Sequence, residues 1–117
     1  MKSIPDYLAA NETRFVEELC DYVRFPSVSA QPDHRPDLQA CADWLCQHCR
    51  AIGLDAELCP TPGHPIVLAR TPRSGARKKP HYVVYGHYDV QPPEPFELWK
   101  SPPFEPRIGR ASSRGRG

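Results

Sequence analysis

No stretch of the 117-residue chain approaches the roughly 20 consecutive apolar residues that a membrane helix needs. Residues 1–11 hold a Lys, a Pro and an Asp but no uninterrupted apolar run, so the hydrophobic centre of a secretory signal is missing too. The expectation is a soluble, cytoplasmic chain with no membrane partner. Net charge is equally scarce. Fifteen Lys and Arg against 14 Asp and Glu give +1, which supplies no field to draw in nucleic acid or an anionic surface. No internal repeat is visible. The five Cys are an odd number confined to the first half, which argues for reduced thiols over a disulfide framework.

Proline is plentiful. Nine of the 15 Pro crowd into 60–65, 92–95 and 102–106, and these regions read as loops. From 6 to 24, Tyr7, Leu8, Phe15, Val16, Leu19, Tyr22 and Val23 recur at three- and four-residue steps, which predicts an amphipathic helix ended by Pro26. A turn-rich segment over 27–36 then leads to a second helix, over 37–52. It has Leu38, Cys41, Ala42, Leu45, Cys49 and Ile52 on one stripe, Asp37 as a start residue and Gly53 as its stop. Residues 54–59 and 66–70 read as short strands of a hairpin turning at Pro62 and Gly63. His81-Tyr82-Val83-Val84-Tyr85-Gly86 is β-branched and aromatic without alternation, the pattern of a strand buried on both faces. Two helices and three strands make the class α/β, and they look like the opening of a domain.

The chemistry gathers where that last strand ends, in Gly86-His87-Tyr88-Asp89-Val90-Gln91-Pro92. Open α/β sheets bind ligands at the carboxyl ends of strands. In extended backbone, His87 and Asp89 project together and Tyr88 faces away. A carboxylate beside an imidazole can take the proton of one ring nitrogen and leave the other with a lone pair for a metal. Gly86 gives room for a close approach of another element. By itself His-x-Asp also fits a hydrogen-bonded loop histidine.

The longer run Tyr85-Gly86-His87-Tyr88-Asp89-Val90-Gln91-Pro92, followed by Leu98-Trp99 and Pro102-Pro103-Phe104-Glu105-Pro106, closely resembles the zinc metallopeptidase family of cytosolic dipeptidases, carnosinases, aminoacylases and carboxypeptidase G. Phe25-Pro26-Ser27-Val28-Ser29 and Ala51-Ile52-Gly53-Leu54 extend the likeness over roughly 7–106, leaning to the dipeptidase branch. The resemblance implies the N-terminal part of a mixed-sheet, helix-flanked catalytic domain, incomplete here. It also implies two zinc ions per complete site and a water that attacks an amide carbonyl. His87 is then the first zinc ligand, and Asp89 the carboxylate behind it that orients the imidazole. The substrate is a dipeptide or N-acyl amino acid. A homodimer is implied only where a further downstream domain is present.

After Pro106 the resemblance fails. The family continues with a Gly-Arg-Gly-Ala-Ser-Asp-Asp-Lys-like segment and further acidic and His ligands, whereas no acid follows Glu105 here and four Arg fall within the last eleven residues. The expected organisation is a partial catalytic domain over 1–106 and an aberrant, disordered tail over 107–117. A frameshift, an early stop or a gene-model error would each produce such a tail. Such a chain is expected to bind zinc weakly and to be inactive alone, and the alternative is a non-catalytic remnant or interaction fragment.

Two other clusters have bland readings. Cys46-Gln47-His48-Cys49 has Cys-x-x-Cys spacing but lies inside the second helix with no second pair to complete a metal site, so its thiols read as small hydrophobes. His34, His48, His64 and His81 share no ligand spacing, and Trp99 reads as an anchor for the Pro-rich loop.

Overall fold

The computed structural model describes residues 3–73 and 79–109. Residues 110–117, most of the expected disordered tail, lie outside the described residues. The chain divides into two compact units, Met1–Arg24 with Pro93–Gly117, and Phe25–Pro92.

In the first unit, the helix expected over 6–24 is two helices, α1 (Ile4–Ala10) and α2 (Glu12–Val23). The break is at Asn11, whose backbone (φ −113°, ψ 9°) leaves the helical region. Its side-chain amide donates to the Tyr7 carbonyl at 2.8 Å, a local bond that competes with helix continuation. Tyr7 and Phe15 still meet across the break, at 6.0 Å between ring centroids. Arg14 lies 4.9 Å over the Phe15 ring and donates to the Tyr7 hydroxyl. Neither helix buries a residue fully. Farther along this unit, the Trp99 indole donates to the Pro93 carbonyl at 2.8 Å, the loop anchor that its sequence context predicts.

The second unit is built on α3 (Arg35–Ala51), which packs against both strands of the hairpin β1 (Asp55–Cys59) and β2 (Ile66–Arg70). The helix begins two residues before the expected Asp37. Pro36 is tolerated in its first turn because no intrahelical donor is required there. Gly53, at φ 95°, ends it as predicted. The Leu54 amide reaches the Cys49 carbonyl and the Gly53 amide reaches that of Arg50, the paired bonds that only a left-handed residue at this position allows. The strands pair antiparallel with Asp55 opposite Arg70 and Cys59 opposite Ile66. Between them the Thr61 hydroxyl donates to the His64 carbonyl and accepts from the Gly63 amide, closing the turn.

The buried apolar side chains among the described residues are Val28, Leu38, Cys41, Ala42 and Cys46. Two thiols are therefore core, as small hydrophobes, and burial raises the Cys41 thiol above its ordinary value. The buried stripe runs through Cys46, whereas Cys49 is half-buried and Ile52 exposed.

The strand expected over 81–86 is not formed. Residues 82–85 are between 82% and 94% exposed and pair with no other strand. An all-apolar strand needs a ladder neighbour and cover on both faces. The hairpin, which is the only sheet among the described residues, supplies neither. The α/β class stands, but the mixed sheet is represented only by the hairpin and one isolated parallel bridge, Val28 to Val90.

So small a core predicts marginal stability, with a broad thermal transition and weak near-ultraviolet circular dichroism. A sharp cooperative transition would contradict this. The bare run at 82–85 combines β-propensity with no charge, so the chain should self-associate through it and Val84→Lys should lower light scattering at equal concentration.

Candidate functional site

The segment after Gly86 is held by the loop after Pro26. The Val90 amide donates to the Ser27 carbonyl at 2.9 Å, and the Ser27 hydroxyl donates to the Tyr88 carbonyl at 2.7 Å. Val28 is wholly buried and Ser27 nearly so, so this crossing is shielded from solvent. From the other side, the Tyr88 hydroxyl donates to the Pro65 carbonyl at 2.6 Å, just before β2. Burial raises the Tyr88 phenol above its ordinary value, with Cys41 and Asp89 adding to the rise, so at neutral pH it is the donor this bond needs.

With Tyr88 turned one way, His87 and Asp89 turn the other, as alternation predicts. The His87 Nδ1 lies 3.0 Å from Asp89 Oδ1 and 3.0 Å from the Asp89 carbonyl. Both partners are acceptors, so Nδ1 carries a ring proton. The second carboxylate oxygen, Oδ2, accepts from the Ser29 hydroxyl at 2.6 Å. That bond, ahead of the His87 contact, holds the Asp89 carboxyl below its ordinary value and keeps it ionised at neutral pH. Ser29 is itself tied down, since its carbonyl lies 3.2 Å from His64 Nε2, which must be the donor.

Sequence reasoning assigned no role here to Ser27, Ser29 or His64. The only available signal was the likeness carried by Phe25-Pro26-Ser27-Val28-Ser29, which marks a stretch but no partner. The expectation for Gly86 is corrected: a Cβ there would meet nothing within 4 Å among the described residues, so none of their elements approaches it closely. The remaining histidines are dispersed. His34 pairs with Asp37 at 2.8 Å, and His48 stacks on Trp44 at 5.1 Å with an 8° interplanar angle.

No group of three or more His, Cys, Asp or Glu that could hold a metal is present among the described residues. The donor set therefore fits a metal as a single ligand, an imidazole whose tautomer is fixed by a carboxylate, and not as a complete site. No helix among the described residues is long and apolar enough to cross a membrane.

Comparison with known proteins gives a consistent set of relatives. The chain is 32% identical over 133 aligned positions to the Cys-Gly metallodipeptidase DUG1 of Candida albicans, covering 96% of this chain and 27% of that protein. It is 30% identical to the cysteinylglycine-S-conjugate dipeptidase of Corynebacterium striatum, covering 92% and 24%. To the succinyl-diaminopimelate desuccinylase of Xanthomonas euvesicatoria it is 36% identical, covering 87% and 24%. The chain thus spans about a quarter of the length of these relatives. Among solved structures, the dipeptidase Dug1p of Saccharomyces cerevisiae superposes with a TM-score of 0.70 at 24% identity, over 84% of this chain and 22% of that one, a likeness of fold. No protein-family model matches the chain.

The Ser27 crossing yields a direct prediction. Ser27→Ala removes a buried donor and leaves the Tyr88 carbonyl without it, at a cost of about 1–2 kcal/mol. Exchange of the Val90 amide with solvent deuterium should then quicken roughly five- to thirtyfold. An unchanged rate would mean that the crossing is held by the backbone bond alone.

Proposed function

We propose, from the premise that this chain is a dipeptidase-family segment, that it supplies one metal ligand and its orienting carboxylate to a zinc-dependent hydrolase of dipeptides or N-acyl amino acids. The observation that carries the proposal is the His87–Asp89 pair: an Nδ1–H directed at the carboxylate at 3.0 Å supports a reading in which the other ring nitrogen, Nε2, coordinates the metal. An ionised Asp89 raises the basicity of that nitrogen and holds the ring plane. The names of the relatives, metallodipeptidase and desuccinylase, support a metal and an amide substrate.

Zinc, when bound, would lower the pKa of a water and polarise the scissile carbonyl. The contribution of these residues is narrower. Asp89 sets the tautomer, His87 presents the nitrogen, and Ser27 with Tyr88 holds the intervening backbone. One imidazole is short of the three or four ligands that a stable zinc site needs, so the 117-residue chain alone is inactive in this reading and acts only with ligands from outside it. The proposed setting is the cytoplasm, with 1–106 as the catalytic-domain portion and no role for 107–117.

The test joins residues 1–106 to the remaining three-quarters of a related dipeptidase. His87→Ala should lose a bound zinc and nearly all dipeptide hydrolysis. Asp89→Asn should keep the metal and lose roughly 10- to 100-fold in affinity or activity, because Asn has no charge to support the imidazole. Parental activity and full zinc content in His87→Ala would refute the assignment. The unjoined chain should show no hydrolysis and at best weak zinc binding by calorimetry. A submicromolar site in it, or one lost in Cys46→Ser, would count against the proposal.

A further inference from the structure

We propose that Ser29 is a positioning residue for the His87–Asp89 pair, fixing the carboxylate that in turn fixes the imidazole. The inference rests on the reading of His87 as a ligand and adds to it the residue that sets its geometry.

A carboxylate at the end of an aspartate side chain turns easily, because the sp³–sp² torsion that carries it has a broad minimum. One bond from His87 to Oδ1 does not define its plane, and the Asp89 carbonyl, also 3.0 Å from Nδ1, shares the ring proton without orienting the carboxylate. The Ser29 hydroxyl grips the other oxygen at 2.6 Å, in the short range of a charge-assisted O–H···O⁻ bond. The serine can act as a fixed point because its own backbone is anchored twice. The neighbouring Val28 is wholly buried in the parallel bridge to Val90, and the Ser29 carbonyl accepts from His64 Nε2 at 3.2 Å. An anchored donor on Oδ2 and the imidazole on Oδ1 together leave the carboxylate one orientation. The Asp89 side chain is 43% exposed, so water can replace the hydroxyl in Ser29→Ala without stranding a buried charge. The loss should therefore appear as a loosened pair and not as unfolding.

The experiment uses the whole 117-residue chain without metal, by long-range ¹H–¹⁵N correlation of the His87 ring at roughly pH 8.5, about two units above the ordinary histidine value. The unmodified chain should show one tautomer, with the proton on Nδ1. Ser29→Ala should show a mixture, Ser29→Thr should restore the single form, and Ser29→Val, which has threonine's shape without its hydroxyl, should again show the mixture. Zinc titration followed on the same ring signals should be weakened roughly tenfold in Ser29→Ala, the low end of what a residue behind a ligand costs. A parental tautomer in both Ser29→Ala and Ser29→Val overturns the proposal. Should either variant fail to fold, the unmodified chain still decides. A Ser29 hydroxyl proton exchanging as fast as a solvent-exposed serine's, or a mixed His87 tautomer, overturns it. The tautomer result is independent of metal, so it can stand if His87→Ala shows that His87 is no ligand, and it can fail while that assignment holds.

Discussion

The second unit depends on one crossing, where two extended segments sixty residues apart in sequence exchange a handful of hydrogen bonds. Ser27 takes part with both its carbonyl and its hydroxyl, bonded to Val90 and Tyr88, and Val28 beside it is wholly removed from solvent. No ladder supports the segment from the other direction, since 82–85 stand exposed. The orientation of His87 and Asp89 is therefore a consequence of how the loop after Pro26 is held, and the buried Cys41 thiol of α3 hydrogen-bonds to Ser27 within that loop.

Charge plays a small but directed part. The chain is nearly neutral, and around the pair a single ionised carboxylate is shared between two donors, a hydroxyl and an imidazole N–H. A buried carboxylate with one donor would rise in pKa and lose the charge that makes it useful. Asp89 escapes this by remaining partly open to solvent while hydrogen bonds lower its pKa. The arrangement suits the orienting role proposed for Asp89.

What could be read from the sequence was what local signals encode. Gly53 as a stop, the first half of the apolar stripe of α3 (Leu38, Cys41 and Ala42) and the Pro-Gly turn of the hairpin each follow from neighbours a few residues away and stand in the structure, whereas the second half of the stripe runs through Cys46 and leaves Ile52 exposed. The alternation that brings His87 and Asp89 to one side is local as well. Asn11 was missed because a period of apolar residues continues through it unchanged, while its amide bonds backward and breaks the helix. The run at 81–86 was misjudged for the opposite reason. Its residue types state that the segment would be content between two layers, but they cannot state that the layers are present. Ser29 and His64 were beyond reach altogether, since a serine sixty positions from its carboxylate leaves no pattern in one sequence.

The separation between Ser27 and Tyr88 also bears on the order of assembly. Closing a loop of 61 residues costs more conformational entropy than closing the hairpin or winding α3, and the contacts that offset it form only once both ends are in place. The hairpin and helix can form from nearby residues at small entropic cost, whereas the His87–Asp89 pair waits for the long closure. An opening of the unit that separates these two segments therefore disperses the pair, while the hairpin and α3 keep their own local bonds.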